Sequence, residues 1–458
     1  MVFTIWFSIL ILFFSSCATL KTQLKHYKGI EDDFTTRFYN EAVKKIEEAK
    51  EKGEYKEKDK VLFYLDIGTA LHFAKRYWES NKYLDKAEVA IEENFTKSIS
   101  KMALSFLLND NILDYPGEDY EDIFVNVMKC LNYLHLKKLD EALVEIRRVN
   151  LKLNKIEDKY RELGEKLGEN EEFEEGKIKI RFYKGEVDLR HSIIGSYLSM
   201  LGYLWMGKWD DVEIDKRKII EASKGRLIPF LEKVTKNEEE KIPVYFLCFV
   251  GKGPIKEQET LLLDLNPYLH LGKIVLPGKR NSEITSFPYE GESEIHIKFA
   301  VPKIKRRETR IKAVRIFIDG ESQGEMELIE DFLDIAEKIF EIKKPIIYLR
   351  SAIRSLLKAL IDAKAKKEIS EEKEDRKVLS GFLKLIVDTT IDISETADLR
   401  CWRTMPGAAY AWKIELTPGK HEVIFEYIDA HNRIVDSEKY TVFINKNELN
   451  LIEGVCYR

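Results

Sequence analysis

The feature that most limits how this chain can fold is a change of hydrophobic period. From Lys21 to about Glu232, apolar residues recur at three- and four-residue spacing and proline is almost absent, the pattern of helices that bury one face. A polar stretch, KVTKNEEEK, marks a boundary near Lys236 to Lys241. The period then becomes two. IPVYFLCFV, TLLLDL, GKIVLP, SEIHIKFA and AVRIFIDG are β-branched and aromatic runs broken by Gly and Pro. Helical spacing returns from Leu328 to Asp392. It covers LIEDFLDIAEKIF, IIYLRSAIRSLLKALIDA and, past the charged joint KAKKEISEEKEDRK, KVLSGFLKLIVDTTID. Strands resume in AWKIEL, HEVIFEYID, KYTVFIN and LIEGVCY. This order predicts an α+β chain. A helical part spans 17–235, β-rich parts span 241–325 and 396–458, and a helical insert lies at 326–395 between them. The two β parts are expected to form one antiparallel, sandwich-like domain.

Within the helical part, Val61 to Glu93 reads VLFYLDIGTALHFAKRYWESNKYLDKAEVAIEE, with small residues at Gly68, Ser80 and Ala87 and aromatics at Tyr64, Tyr77 and Tyr83. Helices cross closely only where small side chains admit the neighbouring backbone, and aromatics fill the space beside them. Two further copies are VMKCLNYLHLKKLDEALVEIRRVN, with Tyr133 and Ala142, and YLSMLGYLWMGKWDDVEIDKRKIIEA, with Tyr203, Gly207 and Trp209. Each has a large residue, a short polar turn and a second helix. The pattern resembles the tetratricopeptide repeat, and the resemblance implies an α-solenoid with a concave protein-binding surface. The charge-dense run NKIEDKYRELGEKLGENEEFEEGKIKI reads as solvated helix with a loop around Gly168-Glu169-Asn170.

Before all this stands MVFTIWFSILILFFSS, sixteen residues without a charged side chain. A membrane-spanning helix needs about 20 apolar residues. This run is shorter, and the small pair Ser15-Ser16 precedes Cys17. The segment resembles a bacterial lipoprotein signal. The resemblance implies a signal peptide at 1–16, cleavage before Cys17, and acylation of that cysteine. An uncleaved signal anchor and an ordinary secretory signal are the alternatives. Two or three acyl chains hold a soluble domain stably on a membrane.

Net charge is -5, which argues against a nucleic-acid partner. No cysteine stands in a C-x-x-C pair and the histidines are scattered, so no metal site or cofactor is expected. Besides Cys17 there are Cys130, Cys248, Cys401 and Cys456. They allow three pairings, or serve as small buried apolar residues. GKGPIK at Gly251 to Lys256 lacks the spacing of a phosphate loop and reads as a hairpin turn. No catalytic motif is present, so no catalytic residue is assigned.

Two groups are candidates for binding an anion or a partner. Arg350, Arg354 and Lys358, four apart, form one basic helix stripe. DLRCWRTMPG packs Arg400, Trp402 and Arg403 into one corner, suited either to an anion or carbohydrate or to a loop pinned under the β-domain. The blocks LDIGTALHFAKRYWES, KKLDEALVEIRRVN, GKGPIKE, R-x-x-x-R-x-x-x-K and TADLRCWRTMPG with LTPGKHEV, in this order, resemble an uncharacterised family of bacterial envelope lipoproteins. The resemblance implies an envelope location and this architecture, with no assigned reaction. The expected function is a lipid-anchored scaffold or regulator in envelope assembly that binds other envelope proteins. The rivals are a module for cell-wall glycan or anionic lipid, and an enzyme with a dispersed site.

Overall fold

The structure, a computed structural model, describes residues 16–100, 110–169, 192–224, 226, 228–232, 234, 241–276, 283–288, 294–371, 391–392 and 396–458. It is an α+β chain. Its helical half is built from successive hairpins: α1 (Ser16–Thr36) with α2 (Tyr39–Glu51), α3 (Lys60–Phe73) with α4 (Tyr77–Ser100), α5 (Asp119–His135) with α6 (Leu139–Glu169), and α7 (Ile193–Trp205) with α8 (Trp209–Ala222). Besides its own partner, α4 packs on α5, and α6 packs on α7.

All four hairpin turns have the same backbone design. A residue in the left-handed region closes the first helix: Arg37 (φ 62), Lys75 (φ 62), Lys137 (φ 60) and Gly207 (φ 69). At each, that residue and the next donate back across the last helical turn. Arg76 N donates to Leu71 O and Lys75 N to His72 O, and Lys138 N donates to Tyr133 O and Lys137 N to Leu134 O. The same pair of bonds recurs at Phe38/Arg37 and Lys208/Gly207. This is the Schellman cap, which satisfies carbonyls a helix end would otherwise leave open. The sequence reading found three of these turns and missed the first, TTRFYNEA, although its order of turn, aromatic Tyr39 and small Ala42 matches the others.

The two helices of each later hairpin differ in kind. In α3, twelve consecutive-face residues from Val61 to Phe73 are buried, and α5 and α7 are likewise buried nearly all round. α8 buries only Val212, Asp215 and Ile219. A helix apolar on every side must be covered on every side. The outer cover of α3, α5 and α7 is their hairpin partners. The inner cover is the chain's own β-sheet.

That sheet has the order β13-β1-β10-β8, made of β1 (Ile242–Lys252), β8 (Glu327–Asp331), β10 (Pro406–Leu416) and β13 (Asn450–Cys456). Strands from both sides of the helical insert therefore share one sheet. β1 alternates its faces, as a strand must. Tyr245, Leu247 and Phe249 join the helical core, while Val244, Phe246, Cys248 and Val250 join a second core. On the helical side Phe249 meets Phe73 of α3 and Phe124 of α5, at 6.1 and 6.2 Å between ring centroids. Tyr197 of α7 donates to Phe246 O.

The second core is closed by the sheet β12-β11-β6-β7, from β6 (Ala313–Ile318), β7 (Glu321–Glu325), β11 (Gly419–Ile428) and β12 (Ile434–Ile444). A third sheet, β4-β3-β2-β5-β9, is made of β2 (Ile255–Asn266), β3 (Leu271–Val275), β4 (Glu283–Pro288), β5 (Ile295–Lys305) and β9 (Ile391–Asp392). It packs on α9 (Phe332–Glu371) through β5.

Four local expectations change. β13 runs parallel to β1, so the sheet is mixed rather than wholly antiparallel. Residues Leu328–Asp331 of the expected helix LIEDFLDIAEKIF belong to strand β8, which pairs with β10. The rest of that segment and the next, IIYLRSAIRSLLKALIDA, expected as separate helices, form one 40-residue helix that runs through Pro345. The GKGP turn is no hairpin: the strands on its two sides, β1 and β2, lie in different sheets. The helix expected in KVLSGFLKLIVDTTID lies outside the described residues except at its last two, which form β9. Of the loop expected around Gly168-Glu169-Asn170, Gly168 and Glu169 belong to α6, and 170–191 lie outside the described residues.

Candidate functional site

The most site-like feature is a cavity of about 160 Å³ between α6, α7, β8 and α9. Its wall is set by the N-terminus of α7. Ser192 is the N-cap, and its side chain accepts from Gly195 N at 3.1 Å. Glu330, on β8, reaches the same helix end. Its Oε2 accepts from Ser192 Oγ at 2.7 Å and from Ile194 N at 2.9 Å. Carboxylates favour this position because the first N–H groups of a helix have no helical acceptor. Burial still dominates and pushes Glu330 up to about 6, with the Ser192 and Ile194 hydrogen bonds pulling the other way.

The apolar lining comes from Ile123, Leu153, Ile193, Ile329 and Ile335. At the rim, Arg226 donates to Ile329 O at 3.2 Å. Asp331 caps α9 by accepting from Leu333 N and Asp334 N. Arg306 pairs with Asp331, Asp334 and Glu337. Beside these apolar residues the wall carries Glu221, Lys224, Arg226, Asp331, Asp334 and Lys338, and Lys338 acts electrostatically on the buried Glu330. In the sequence Glu330 stands in LIED, which reads as an ordinary helix start; an acid directly after the core residue Ile329 is the available signal.

Of the six residues picked from sequence as binding candidates, three, Arg350, Arg354 and Arg400, meet on the 110–115 turn. Arg354 is 3% exposed. Its Nη2 lies 3.0 Å from Asp110 Oδ2, and Arg350 Nη2 lies 3.2 Å from Asp110 Oδ1. Arg400 donates to the Asp110 carbonyl, to Leu113 O, to Asp59 Oδ1 at 3.0 Å and, through two nitrogens, to Asp398. Its guanidinium also lies over Tyr115, 5.2 Å from the ring centroid. Burial alone would push Asp398 up, but Arg400 beside it holds it at about 2. Trp402 is buried. Its N–H donates to Glu121 Oε1 at 2.6 Å and its ring nitrogen donates to Thr69 and Thr404 hydroxyls. The corner is thus a loop driven between α3, α5 and the 110–115 turn.

Arg403 meets Glu31 at 3.0 Å and lies over Tyr27, and Arg307 and Lys252 share Glu31. The side chains of Lys358 and Cys17 lie outside those described, though both backbones are helical. Of the two readings of the corner the structure shows the pinned loop, and Arg350 and Arg354 of the stripe are likewise internally paired, through Asp110.

Beside the corner sit two buried acids that no sequence pattern flagged. Asp66 accepts from Tyr27, Tyr55 and Thr404 hydroxyls, at 3.0, 2.8 and 2.7 Å. Burial pushes Asp66 up to about 6 and Glu121 up to about 7. A third buried acid, Glu453, has two imidazoles beside it, His72 at 3.1 Å and His135 at 3.2 Å. They hold it well below the usual carboxylate range against the effect of burial.

Among the described residues, no group of three His, Cys, Asp or Glu can hold a metal ion. Cys130, Cys248, Cys401 and Cys456 are free thiols, all buried. No helix among the described residues is long and apolar enough to cross a membrane. No protein-family model, curated protein or solved structure matches the chain.

Proposed function

We propose that this chain is a lipid-anchored protein of the bacterial cell envelope, tethered through Cys17, that binds other envelope proteins on the outer face of a tetratricopeptide-like solenoid. The observation that carries the reading is the series of four hairpins with one repeated turn geometry, followed by two sheets packed on a common core in sandwich-like fashion. In this reading the partner does not use the concave side. The inner helices α3, α5 and α7 already pack on β1 and its neighbours. The outer helices carry the exposed apolar side chains Trp78 and Val89 on α4, Val144 and Leu151 on α6, and Ile214 and Ile220 on α8. An exposed Trp is a frequent anchor of protein interfaces.

Crosslinking in living cells tests the reading. The wild type is expected to capture a defined set of envelope proteins, and Trp78→Asp with Leu151→Asp to lose them while keeping the same melting temperature. Capture that is unchanged by both substitutions overturns the outer-face reading. Labelled fatty acid is expected on the wild type and absent from Cys17→Ser; label that persists in the variant overturns the tether.

A further inference from the structure

Tyr268 and Leu269 are 84% and 66% exposed, and they stand side by side at the tip of the β2–β3 hairpin. Single exposed apolar residues are ordinary, but an adjacent pair held out on a fixed turn points to a contact surface. The turn does hold them out. Asn266 Oδ1 accepts from Leu269 N at 3.0 Å, and Pro267 O accepts from His270 N at 3.3 Å, with His270 in the left-handed region (φ 50). The stretch from Leu265 to Gly272, LNPYLHLG, contains no Asp, Glu, Lys or Arg.

The hairpin leaves the protein at the same end as the start of α1. Phe34 of α1 packs on Phe73, the last residue of α3, while Tyr27 donates to Asp66 in the middle of α3. α1 therefore rises from the foot of α3, and Cys17 lies ten residues below Tyr27, about 15 Å along the helix. At that foot Asp59 is bonded to Arg400, which also donates to the Asp110 carbonyl. α9 descends to the same place. Its Phe332 meets Phe124 within α5, its Lys343 pairs with Glu118 just before α5, and its Arg354 pairs with Asp110. β2 runs beside α9 in the same direction, with Lys256 at Glu118 and Glu259 at Tyr348. From Glu259 it continues seven residues to Asn266, about 24 Å. The left-handed turns close the opposite ends of α1, α3 and α5.

The uncharged run MVFTIWFSILILFFSS leads into α1 at this end. The surface such a run seeks is a lipid bilayer. A tyrosine beside a leucine suits the bilayer interface, because the ring is buried while its hydroxyl stays with headgroups and water. We propose that the β2–β3 tip is a second membrane contact: Tyr268 and Leu269 enter the interface of the bilayer that holds the start of α1, and the left-handed turns face away from the lipid. The contact rests on the membrane location proposed above, not on the acyl group itself. Because the start of α1 already keeps the protein at the surface, the tip acts at high effective concentration and needs little affinity of its own.

Fluorescence on the full chain in vesicles of phosphatidylcholine and phosphatidylglycerol tests it. Leu269→Cys carries an environment-sensitive maleimide dye, since Cys130, Cys248, Cys401 and Cys456 are buried. Phe38→Cys, at an exposed position on the α1–α2 turn, carries the same dye as control. Mass spectrometry scores the acyl group on Cys17 in each preparation, and an unacylated Cys17 is replaced by Ser before labelling. Nitroxide-bearing lipid is expected to quench the dye at 269 and leave the dye at 38 unchanged. The quenching is expected to persist from about 0.1 to about 1 M salt, where exposed charges are screened. Tyr268→Asp is expected to abolish it while the melting temperature stays that of the wild type. Quenching at 269 in a chain without an acyl group supports the tip and removes only the tether. No quenching in the acylated chain overturns the tip alone, and no quenching in a chain without the acyl group overturns it together with the membrane location. Equal quenching at 269 and 38, loss of quenching at high salt, or quenching that survives Tyr268→Asp also overturns the proposal.

Discussion

Glu121 is the most informative group to perturb. It is fully buried on α5. Its Oε1 accepts from Trp402 N, and its Oε2 accepts from Tyr115 Oη at 2.8 Å and Glu118 N at 3.0 Å. All three donors are neutral, so burial prevails and the group sits at about 7 against an ordinary 4.5. Each tenfold in proton affinity is about 1.4 kcal/mol, which makes the difference worth about 3 kcal/mol. The folded acid holds a proton that the unfolded chain has already released. Its contribution is therefore fully present below pH 4.5, declines as pH rises toward 7, and is gone above that.

The perturbation is Glu121→Gln, which cannot titrate. Urea unfolding followed by circular dichroism at half-unit steps from pH 4.5 to 8 gives both stability curves. Asp66 and Glu330, each at about 6, decline in the same window and in the same direction. They do so in both proteins, and because Asp66 acts electrostatically on Glu121 the difference between the curves reports Glu121 together with its coupling to Asp66. The wild type is expected to lose about 3 kcal/mol more than the variant across the range. Parallel curves would refute the assignment.

Three further outcomes follow from the packing. Arg400→Ala removes the guanidinium that bridges the buried Asp59 and Asp398 and is expected to cost about 3–5 kcal/mol in denaturant unfolding; Arg400→Lys should recover little, because one ammonium cannot serve two carboxylates and two carbonyls at once. Gly68→Ala places a methyl group 2.7 Å from Leu84 Cδ2 at the α3–α4 crossing, and should lower stability by about 1–3 kcal/mol, read as a shifted urea midpoint. Lys137→Gly relieves a left-handed residue whose side chain makes an exposed pair with Glu448, and should raise stability by about 0.5–1 kcal/mol; a loss of that size would mean the pair matters more than the backbone.

Much of the order of elements could be read from period alone, because helix and strand impose different spacings on buried residues. IPVYFLCFV is strand β1, and KYTVFIN lies within β12 apart from its last residue. The small residues Gly68, Ser80 and Ala142 lie at buried helix contacts. What period cannot encode is which surface covers a helix that is apolar all round. Val61–Phe73 states only that something covers it, and the covering residues, Phe249 and Tyr457, come from far along the chain. The basic stripe was misleading for the same reason: four-residue spacing fixes one face of α9, but whether Asp110 or solvent meets that face is a matter of long-range packing. Asp66 and Glu121 escaped notice because a buried acid satisfied by hydroxyls and backbone N–H groups leaves no local charge partner in the sequence.

The left-handed turn residues have a consequence for how such a chain can vary. Arg37 reaches Asp436 and Glu438, Lys75 lies over Tyr440, and Lys137 reaches Glu448, so successive turns meet successive points along β12 and the connection to β13. Stacked helical repeats are ordinarily free to gain or lose a unit, because each touches only its neighbours. Here every added or deleted hairpin would shift the later turns past their partners on a strand of fixed length. The number of hairpins is set by a ruler laid alongside them, and the chain can diversify its loops and outer helices far more easily than it can change its count.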